Sequence, residues 1–273
     1  DKVVFLSKNS LALTKLFDIL ANEDNDYKGN YKWGVTTSLS YLPNDNRKYF
    51  EGIDLSLVDW LLQYSPVKDD PSFVRGFLGR MLFSGEEALK KASVISGGER
   101  VRCMLSRMMM TNSNILILDE PTAQLDPIAA SEFLQSLHKI NQELGVTIVI
   151  AEHRLEEVFP MASKVVIMDK AKIFMCDTPR KIGETLSFDE TSHKMSLALP
   201  TAIRVFHATQ GKGECPLTVN EGKKYLAENF DSKIHGLPCE SGVYTNREIA
   251  LQIKEGYFRC ERDLPDVLNG MDI

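Results

Sequence analysis

Two short clusters of residues have side-chain types and spacing that suit phosphate and metal chemistry. The clusters are ISGGERVRCML at 95–105 and ILILDEPTAQLD at 115–126. In the first, Ser96 and Glu99 have the S-x-x-E spacing of a capping box ahead of a helix predicted to end near Met110. Because Gly97 and Gly98 lie between them, backbone N–H groups at the helix start could approach a phosphate without side-chain obstruction. An ordinary capped helix has the same pattern, so this cluster alone does not establish a phosphate site.

In the second cluster, a pair of carboxylates follows an apolar run. ILIL at 115–118 has the length and continuity of a strand buried on both faces of a parallel sheet. Asp119 at the end of such a strand can hold Mg²⁺, directly or through water, beside nucleotide phosphates. Glu120 is predicted on the other side of the strand end, where it could polarise an attacking water as general base. A helix cap or a loop turn would also explain the pair.

Strands and helices alternate on the carboxyl-terminal side of these clusters. A helix is predicted from Asp126, which is followed by Pro, to Gly145. A second buried strand at 146–151 and a third at 165–168 follow, separated by a short helix. His153 lies two residues after the second strand, at the sheet edge where ligands of open α/β sheets bind, although a single His there is more often structural. The βαβ order predicts an α/β fold.

The segment LSKNSLALTKLFDIL at 6–20 follows a short apolar run at 3–6. A strand, a turn and a helix is the layout of the phosphate loop G-x-x-x-x-G-K-[ST]. The two Gly positions and the Lys position of that pattern fall on Ser7, Ala12 and Leu13. Only Thr14 matches. Without Gly the backbone nest is harder to form, because a positive φ costs roughly 1 kcal/mol or more for other residues.

A cation could still reach the phosphates from elsewhere in this segment. Lys15 should face well away, because each helical residue turns the side chain by about 100° relative to Leu13. Lys8 lies in the loop itself and is the better candidate. The nucleotide contacts predicted for this segment are therefore Lys8, Asn9 and Thr14, with Thr14 also a candidate Mg²⁺ ligand beside Asp119.

Composition limits the classes of partner. The chain has 273 residues, of which 43% are hydrophobic and 26% charged, enough for one large domain or one domain plus part of a second. A formal net charge of −6 gives no general attraction for nucleic acid or anionic lipid, so direct DNA binding is not expected. Five widely spaced Cys and the absence of a secretory segment favour the reducing cytoplasm. Any role at the membrane would come through a partner at its cytoplasmic face.

The spacing of apolar and polar residues divides the chain into parts. Apolar and polar residues alternate at mostly helical spacing over 60–83, which predicts a small helical insertion at about 54–112. After residue 186 the regular spacing of apolar residues is lost, with one plausible helix at 219–229. An alternation of apolar and polar residues, as in a strand, returns at 249–258. The predicted parts are a cassette at 1–186, a connector at 187–246 and the start of a further unit at 247–273.

The motifs together resemble the ABC ATPase family over roughly residues 1–186. The resemblance implies a P-loop NTPase-like α/β cassette with a mostly parallel sheet flanked by helices and a small helical subdomain. The implied assignments are the signature at Ser96 to Glu99, the Walker B aspartate at Asp119, the catalytic glutamate at Glu120, the D-loop at Ala123 to Asp126 and the switch histidine at His153. In such proteins two cassettes dimerise head to tail, and the signature of one completes the ATP site of the other. The implied cofactors are ATP and Mg²⁺.

Different parts of the chain resemble different branches of that family. Residues 1 to about 113 resemble the second cassette of an ABC-F protein, a soluble branch associated with ribosomes. The part from DEPTAQLDPIAA onward resembles an energy-coupling-factor ATPase, which drives vitamin or metal-ion uptake with membrane subunits, and its tail resembles the opening strands of a truncated second cassette. The Q-loop glutamine of the family falls at Asn44, whose amide is one methylene shorter.

Three functions follow from these resemblances. The first is ATP binding and hydrolysis coupled to transport, with Glu120 as base, His153 as γ-phosphate sensor and a phosphate loop that keeps its shape but lacks its lysine. The second is a non-hydrolysing partner cassette whose signature completes another subunit's ATP site. The third is a ribosome-associated ABC-F fragment.

Overall fold

The computed structural model of the chain describes residues 1–186, 194–230, 252–258 and 268–272. The chain divides into two compact units, Asp1–Asn229 and Phe230–Ile273. The predicted boundaries at 186 and 246 stay predictions, and residues 187–193 and 231–246 of the predicted connector lie outside the described residues.

A six-stranded sheet forms the centre of the larger unit, in the order β2-β3-β4-β1-β5-β6. The strands are β1 Lys2–Ser7, β2 Leu39–Leu42, β3 Ile115–Asp119, β4 Thr147–Ala151, β5 Lys164–Asp169 and β6 Lys172–Asp177. All neighbouring pairs are parallel except β5 with β6. This confirms the predicted α/β fold with a mostly parallel sheet. β2 and the antiparallel edge strand β6 were not predicted.

The register of the strands brings three carboxyl ends to one edge of the sheet. Ala151 at the end of β4 pairs with Asp119 of β3 on one side and with Phe5 of β1 on the other. β3 is buried on both faces, as its apolar run predicts. Residues that follow these three strands therefore share one sheet edge.

Helices cover both faces of the sheet. They are α1 Ser10–Leu20, α2 Leu57–Leu62, α3 Pro71–Arg80, α4 Gly97–Met110, α5 Pro127–Leu144, α6 Leu155–Met161, α7 Pro179–Thr185, α8 Thr201–Ala208 and α9 Val219–Phe230. α2, α3 and α4 lie between β2 and β3 in the chain and pack on one another, in keeping with a helical insertion. Trp60 is fully buried there, stacks on Phe50 with ring centroids 4.7 Å apart, and donates to the carbonyl oxygen of Tyr49.

The carboxyl-terminal part of the larger unit contains more helix than the sequence indicated. α9 matches the helix predicted at 219–229, whereas α8 and a short 3₁₀ turn at Lys194–Ala198 were not predicted. The smaller unit contains two antiparallel strands, β7 Gly256–Phe258 and β8 Leu268–Met271. Of the strand predicted at 249–258, residues 249–251 lie outside the described residues, and 256–258 form β7. Within the described parts of the chain, no helix is long and apolar enough to cross a membrane.

Candidate functional site

The Asp119 carboxylate lies at the end of β3 and is almost fully buried, with 1% of the residue exposed. The hydroxyl of Thr14, in the first half of α1, donates a 2.6 Å hydrogen bond to Asp119 Oδ2. Asp119 Oδ1 is buried and has no protein partner. Burial raises the pKa of this carboxyl to about 6, against the lowering effect of the Thr14 hydrogen bond. A buried carboxylate oxygen beside a hydroxyl is a donor set that suits a hard cation such as Mg²⁺.

Glu120 is the centre of a second cluster at the same edge. Its Oε1 lies 2.9 Å from His153 Nε2, and its Oε2 accepts a 3.0 Å hydrogen bond from Asn44 Nδ2. The backbone N–H of Glu120 donates to the carbonyl oxygen of Ala151. The φ of Glu120 is 48°, a left-handed conformation that is uncommon for a residue other than glycine and that clusters at functional sites. The structure therefore brings Glu120 and His153, which were placed at this edge by the predicted strand ends, together with Asn44, which was assigned by resemblance alone.

Glu152 is a site residue that the sequence analysis did not identify. It is 5% exposed, and its Oε1 accepts a 2.8 Å hydrogen bond from the backbone N–H of Thr122. Its Oε2 accepts a 3.0 Å bond from the backbone N–H of His153. The buried carboxylate thus fixes the segment after Glu120 to the segment that carries His153. A carboxylate directly after an apolar strand and before the candidate His was the sequence feature that could have identified it.

The phosphate-loop segment does not have the shape predicted for it. α1 begins at Ser10, so only Lys8 and Asn9 lie between β1 and the helix. Asn9 Oδ1 accepts from the backbone N–H of Ala12 at 3.1 Å, and no residue from 7 to 14 has a positive φ. The prediction of a loop that keeps its shape is therefore wrong. Without Gly, and with Asn9 as an N-cap, this segment continues the helix toward the strand and forms no nest.

Leu13 occupies the lysine position of the pattern, and its side chain is part of the core. It is 4% exposed and belongs to an apolar cluster with Phe17 of α1 and Ile117 of β3. Lys15 points away from the site, as predicted, and pairs with Asp24 at 2.8 Å. Among the described residues, neither side chain places a positive charge where the pattern requires one.

A cavity of about 230 Å³ lies at the ends of β1 and β4, where the phosphates would be expected. Lys8 is exposed at this cavity, and Glu120 and His153 also line it. Met195 and Ala198, from the 3₁₀ turn at Lys194–Ala198, line the same cavity, and Met195 is 5% exposed. The space is therefore partly enclosed by apolar side chains of this turn.

The signature segment begins α4 as a complete capping box. Ser96 Oγ accepts from the backbone N–H of Glu99 at 3.2 Å, and Glu99 Oε2 accepts from the backbone N–H of Ser96 at 2.7 Å. Glu99 is held further by Lys90 at 2.7 Å. The backbone N–H groups of Gly97 and Gly98 make no hydrogen bond to the described residues, so both can donate to a ligand.

The D-loop of this chain packs directly on the signature glycines. A Cβ at Gly97 would lie 2.5 Å from Gln124 Oε1, and a Cβ at Gly98 would lie 2.8 Å from a methyl group of Leu125. A side chain at either position would therefore displace Gln124 or Leu125 from its present place. The signature residues share no hydrogen bond with Asp119, Glu120 or His153, and their link to that edge passes through the D-loop.

Comparison with known proteins places these motifs in a family context. The family model described as "ABC transporter" matches residues 14–123. The chain is 58% identical over 144 residues to YkpA, an uncharacterised ABC transporter ATP-binding protein of Bacillus subtilis, covering 53% of this chain and 25% of that protein. It is 35% identical over 193 residues to a putative ABC transporter ATP-binding protein of Bacillus thuringiensis, covering 70% of this chain and 34% of that protein. The chain thus spans about a quarter to a third of the length of these relatives.

Solved structures share the fold at low identity. The dimeric structure of MJ0796, a bacterial ABC transporter cassette, matches with a TM-score of 0.57 at 16% identity, covering 66% of this chain and 86% of that one. CbiO1 from Clostridium perfringens, part of an ABC transporter complex, matches with a TM-score of 0.56 at 20% identity, covering 77% of this chain and 87% of that one.

Proposed function

Since this chain contains an ABC-type ATPase nucleotide-binding domain, we propose that it serves as the signature-supplying member of a head-to-tail cassette pair. In this pair the partner cassette holds the ATP, and α4 of this chain completes that ATP site. The observation that most directly supports this division of roles between the two cassettes is the burial of Leu13 in a segment that is already helical at Ser10.

The chain's own phosphate position does not fit a nucleotide. A phosphate loop needs several backbone N–H groups turned toward one point and a Lys near the β- and γ-phosphates. Here the N–H of Ala12 is already bonded to Asn9, and Leu13 is packed in the core. Met195 further reduces the space at this edge. Glu120 and His153 therefore have no γ-phosphate of their own to act on, and we expect no hydrolysis in this half-site.

The signature, in contrast, fits an anion. The capping box fixes the start of α4, and the N–H groups of Gly97 and Gly98 have no acceptor among the described residues. A helix start with free N–H groups stabilises negative charge by hydrogen bonding and by the helix dipole. A solved neighbour is dimeric, and another structure of the same cassette is bound to ADP and Pi. Both structures are of MJ0796, and they support the pairing proposed for this chain.

The residues present fit Mg²⁺ better than they fit a nucleotide. Asp119 Oδ1 is a buried, unpartnered oxygen, and the Thr14 hydroxyl lies beside Oδ2 of the same carboxylate. Thr14 and Asp119 would hold the ion, which would supply positive charge to nearby phosphate oxygens when bound. In this chain, Thr14 and Asp119 are otherwise a structural pair that links α1 to β3.

The process served by such a pair is proposed from the relatives, whose names describe ABC transporter ATP-binding proteins. We propose transport as that process, membrane subunits as further partners, and a peripheral location at the cytoplasmic face of the membrane. The energy-coupling-factor and ABC-F resemblances of the two halves stay predictions, and co-sedimentation with ribosomes in ATP tests the second of them.

Turnover in a mixture of two forms of the chain tests the proposal. One form carries Ser7→Gly, Ala12→Gly and Leu13→Lys to rebuild the phosphate loop, together with Ser96→Arg to remove its signature. Its ATP binding is confirmed first. Adding the unmodified chain should then produce turnover, whereas adding a Ser96→Arg chain should not. A Ser72→Arg chain is the matched control, because Ser72 is an exposed residue in the first turn of α3. Equal stimulation by the Ser96→Arg and unmodified chains would contradict the proposal.

A further inference from the structure

Arg100, in the first turns of α4, connects three segments around the signature. Its Nε donates a 3.2 Å hydrogen bond to Asn46 Oδ1, and its Nη1 donates a 3.3 Å bond to the carbonyl oxygen of Ile95. Its Nη2 donates a 3.3 Å bond to Gln124 Oε1 in the D-loop. One guanidinium thus joins the segment after β2, the residue before the signature and the D-loop.

These contacts close a ring with the Glu120 cluster. Asn46 lies two residues after Asn44, whose amide donates to Glu120. Gln124 lies four residues after Glu120, and between them the backbone N–H of Ala123 donates to the carbonyl oxygen of Glu120 at 3.1 Å. The ring therefore passes through both sides of Glu120 and is joined to the signature helix by Arg100, next to the packing of Gln124 on Gly97.

The chemistry of the ring favours arginine in this place. Asn46 is 1% exposed, and a buried amide oxygen needs a donor. The oxygens of Asn46 and Gln124 are bound by Nε and Nη2 of one planar guanidinium, whose fixed fork of donors a lysine ammonium lacks. Because Gly97 leaves only enough room for the Gln124 side chain, the amide is held between the glycine and the arginine.

We propose that Arg100 is a positioning residue that holds the D-loop, residues 123–126, against the start of the signature helix. In this arrangement the positions of Glu120 and of the signature are set together. The effect of Arg100 on ATP held by a partner cassette rests on the function proposed above. The effect of Arg100 on the position of the D-loop within this chain does not.

Hydrogen exchange of the D-loop in the full chain tests the proposal independently of nucleotide. Arg100→Met should raise the exchange rate of the Ala123 and Leu125 amides about tenfold, because a hydrogen bond to a charged donor is lost. Gln124→Met should do the same, and the double variant should add little, because both remove one interaction. Gln124→Glu keeps an acceptor for Arg100 and should keep the amides protected.

Arg102→Met is the matched control on the same helix. Arg102 donates to the carbonyl oxygens of Met81 and Leu82 and lies over the ring of Phe83, away from the D-loop. This variant should leave exchange at Ala123 and Leu125 unchanged. Unchanged exchange in Arg100→Met, or effects of Arg100→Met and Gln124→Met that multiply, would overturn the proposal.

The mixed-chain assay adds a functional measurement. An Arg100→Met chain should stimulate the rebuilt partner several-fold less than the unmodified chain at saturating protein, and Gln124→Glu should preserve stimulation. If the unmodified chain itself gives no stimulation, the proposed function fails while the exchange experiment still decides the role of Arg100. Full stimulation by Arg100→Met would contradict its positioning role in the assembled pair.

Discussion

The Thr14 hydroxyl donates a 2.6 Å hydrogen bond to Asp119 Oδ2, and the other carboxylate oxygen of Asp119 is buried without a protein partner. This contact joins the one phosphate-loop position that matches the pattern to the end of β3. Because burial outweighs the hydrogen bond, the pKa of Asp119 is raised to about 6. The folded chain therefore keeps a proton on Asp119 at a pH where the unfolded chain has released it.

Replacing Asp119 by Asn should remove a pH-dependent loss of stability. A raised carboxyl pKa means that the unfolded state binds fewer protons between about pH 4 and pH 6, so stability falls as pH rises through that window. We expect Asp119→Asn to gain up to about 3 kcal/mol in unfolding free energy relative to the parent at pH 7, and almost nothing at pH 4. Denaturant unfolding at several pH values measures the difference. A constant difference across this range would contradict the assignment.

Asp126→Asn is a control, because its effect on stability should depend on pH in the opposite direction. The backbone N–H groups of Ala129 and Ile128 lower the pKa of Asp126, which caps α5. Its stabilising contribution is present above the unfolded pKa and is lost as pH falls through the lower folded value. The difference between Asp126→Asn and the parent should therefore shrink on acidification.

Truncating the Leu13 side chain should lower the stability of the fold, as expected for a core residue and not for a catalytic one. Leu13 is 4% exposed, whereas Leu11, two residues earlier in α1, is 68% exposed. We expect Leu13→Ala to lower the free energy of unfolding by about 2–5 kcal/mol and Leu11→Ala to change it by less than about 0.5 kcal/mol. Urea unfolding of both variants makes the comparison. Equal effects would show that Leu13 is not a core residue.

Removing the Glu152 carboxylate should weaken the link between the D-loop and the His153 segment. Glu152→Leu leaves the backbone N–H groups of Thr122 and His153 without their acceptor, at a cost of about 1–3 kcal/mol. Glu152→Gln retains one acceptor oxygen and should cost less. Glu143→Leu, at an exposed carboxylate of α5, serves as the control and should stay within about 0.5 kcal/mol. The prediction fails if Glu152→Leu behaves like this control.

The unmodified chain alone should show no ATP turnover above background. Glu120 is held by His153 and Asn44, but the lysine position beside it is occupied by buried Leu13. Glu120→Gln should therefore leave the background rate unchanged. Phosphate release, measured with the same protein preparation, decides the matter. Turnover that disappears on Glu120→Gln would show that this half-site hydrolyses ATP.

The buried parallel strands and the long helices were predictable because their patterns are strong. β3 combines an apolar run with two flanking carboxylates, and α5 has a Pro after its N-cap and Gly145 in the left-handed conformation at its end. β2 is only four residues long and partly exposed, and β6 has an apolar run at 173–176 but lies mostly exposed at the edge of the sheet. Their places in the sheet depend on tertiary pairing.

The candidate site was predictable in part for the same reason. The positions of Asp119, Glu120 and His153 follow from where β3 and β4 end. The start of α1, in contrast, depends on whether the residues after β1 form a loop or continue the helix. Without glycine, and with Asn9 as cap, the helix forms, and the pattern borrowed from phosphate loops gave the wrong shape. Glu152 was missed because its role is to accept hydrogen bonds from backbone N–H groups, that of the adjacent His153 and that of Thr122 in another segment.

Equilibrium binding of ATP to the full chain, with and without Mg²⁺, tests most directly whether the chain's own phosphate position holds a nucleotide. A Lys8→Ala variant is measured alongside, because Lys8 is the basic residue that lines the cavity at this edge. We predict no saturable binding up to millimolar ATP and no difference between the two proteins. Saturable binding at micromolar ATP that Lys8→Ala weakens would contradict the division of roles proposed for this cassette.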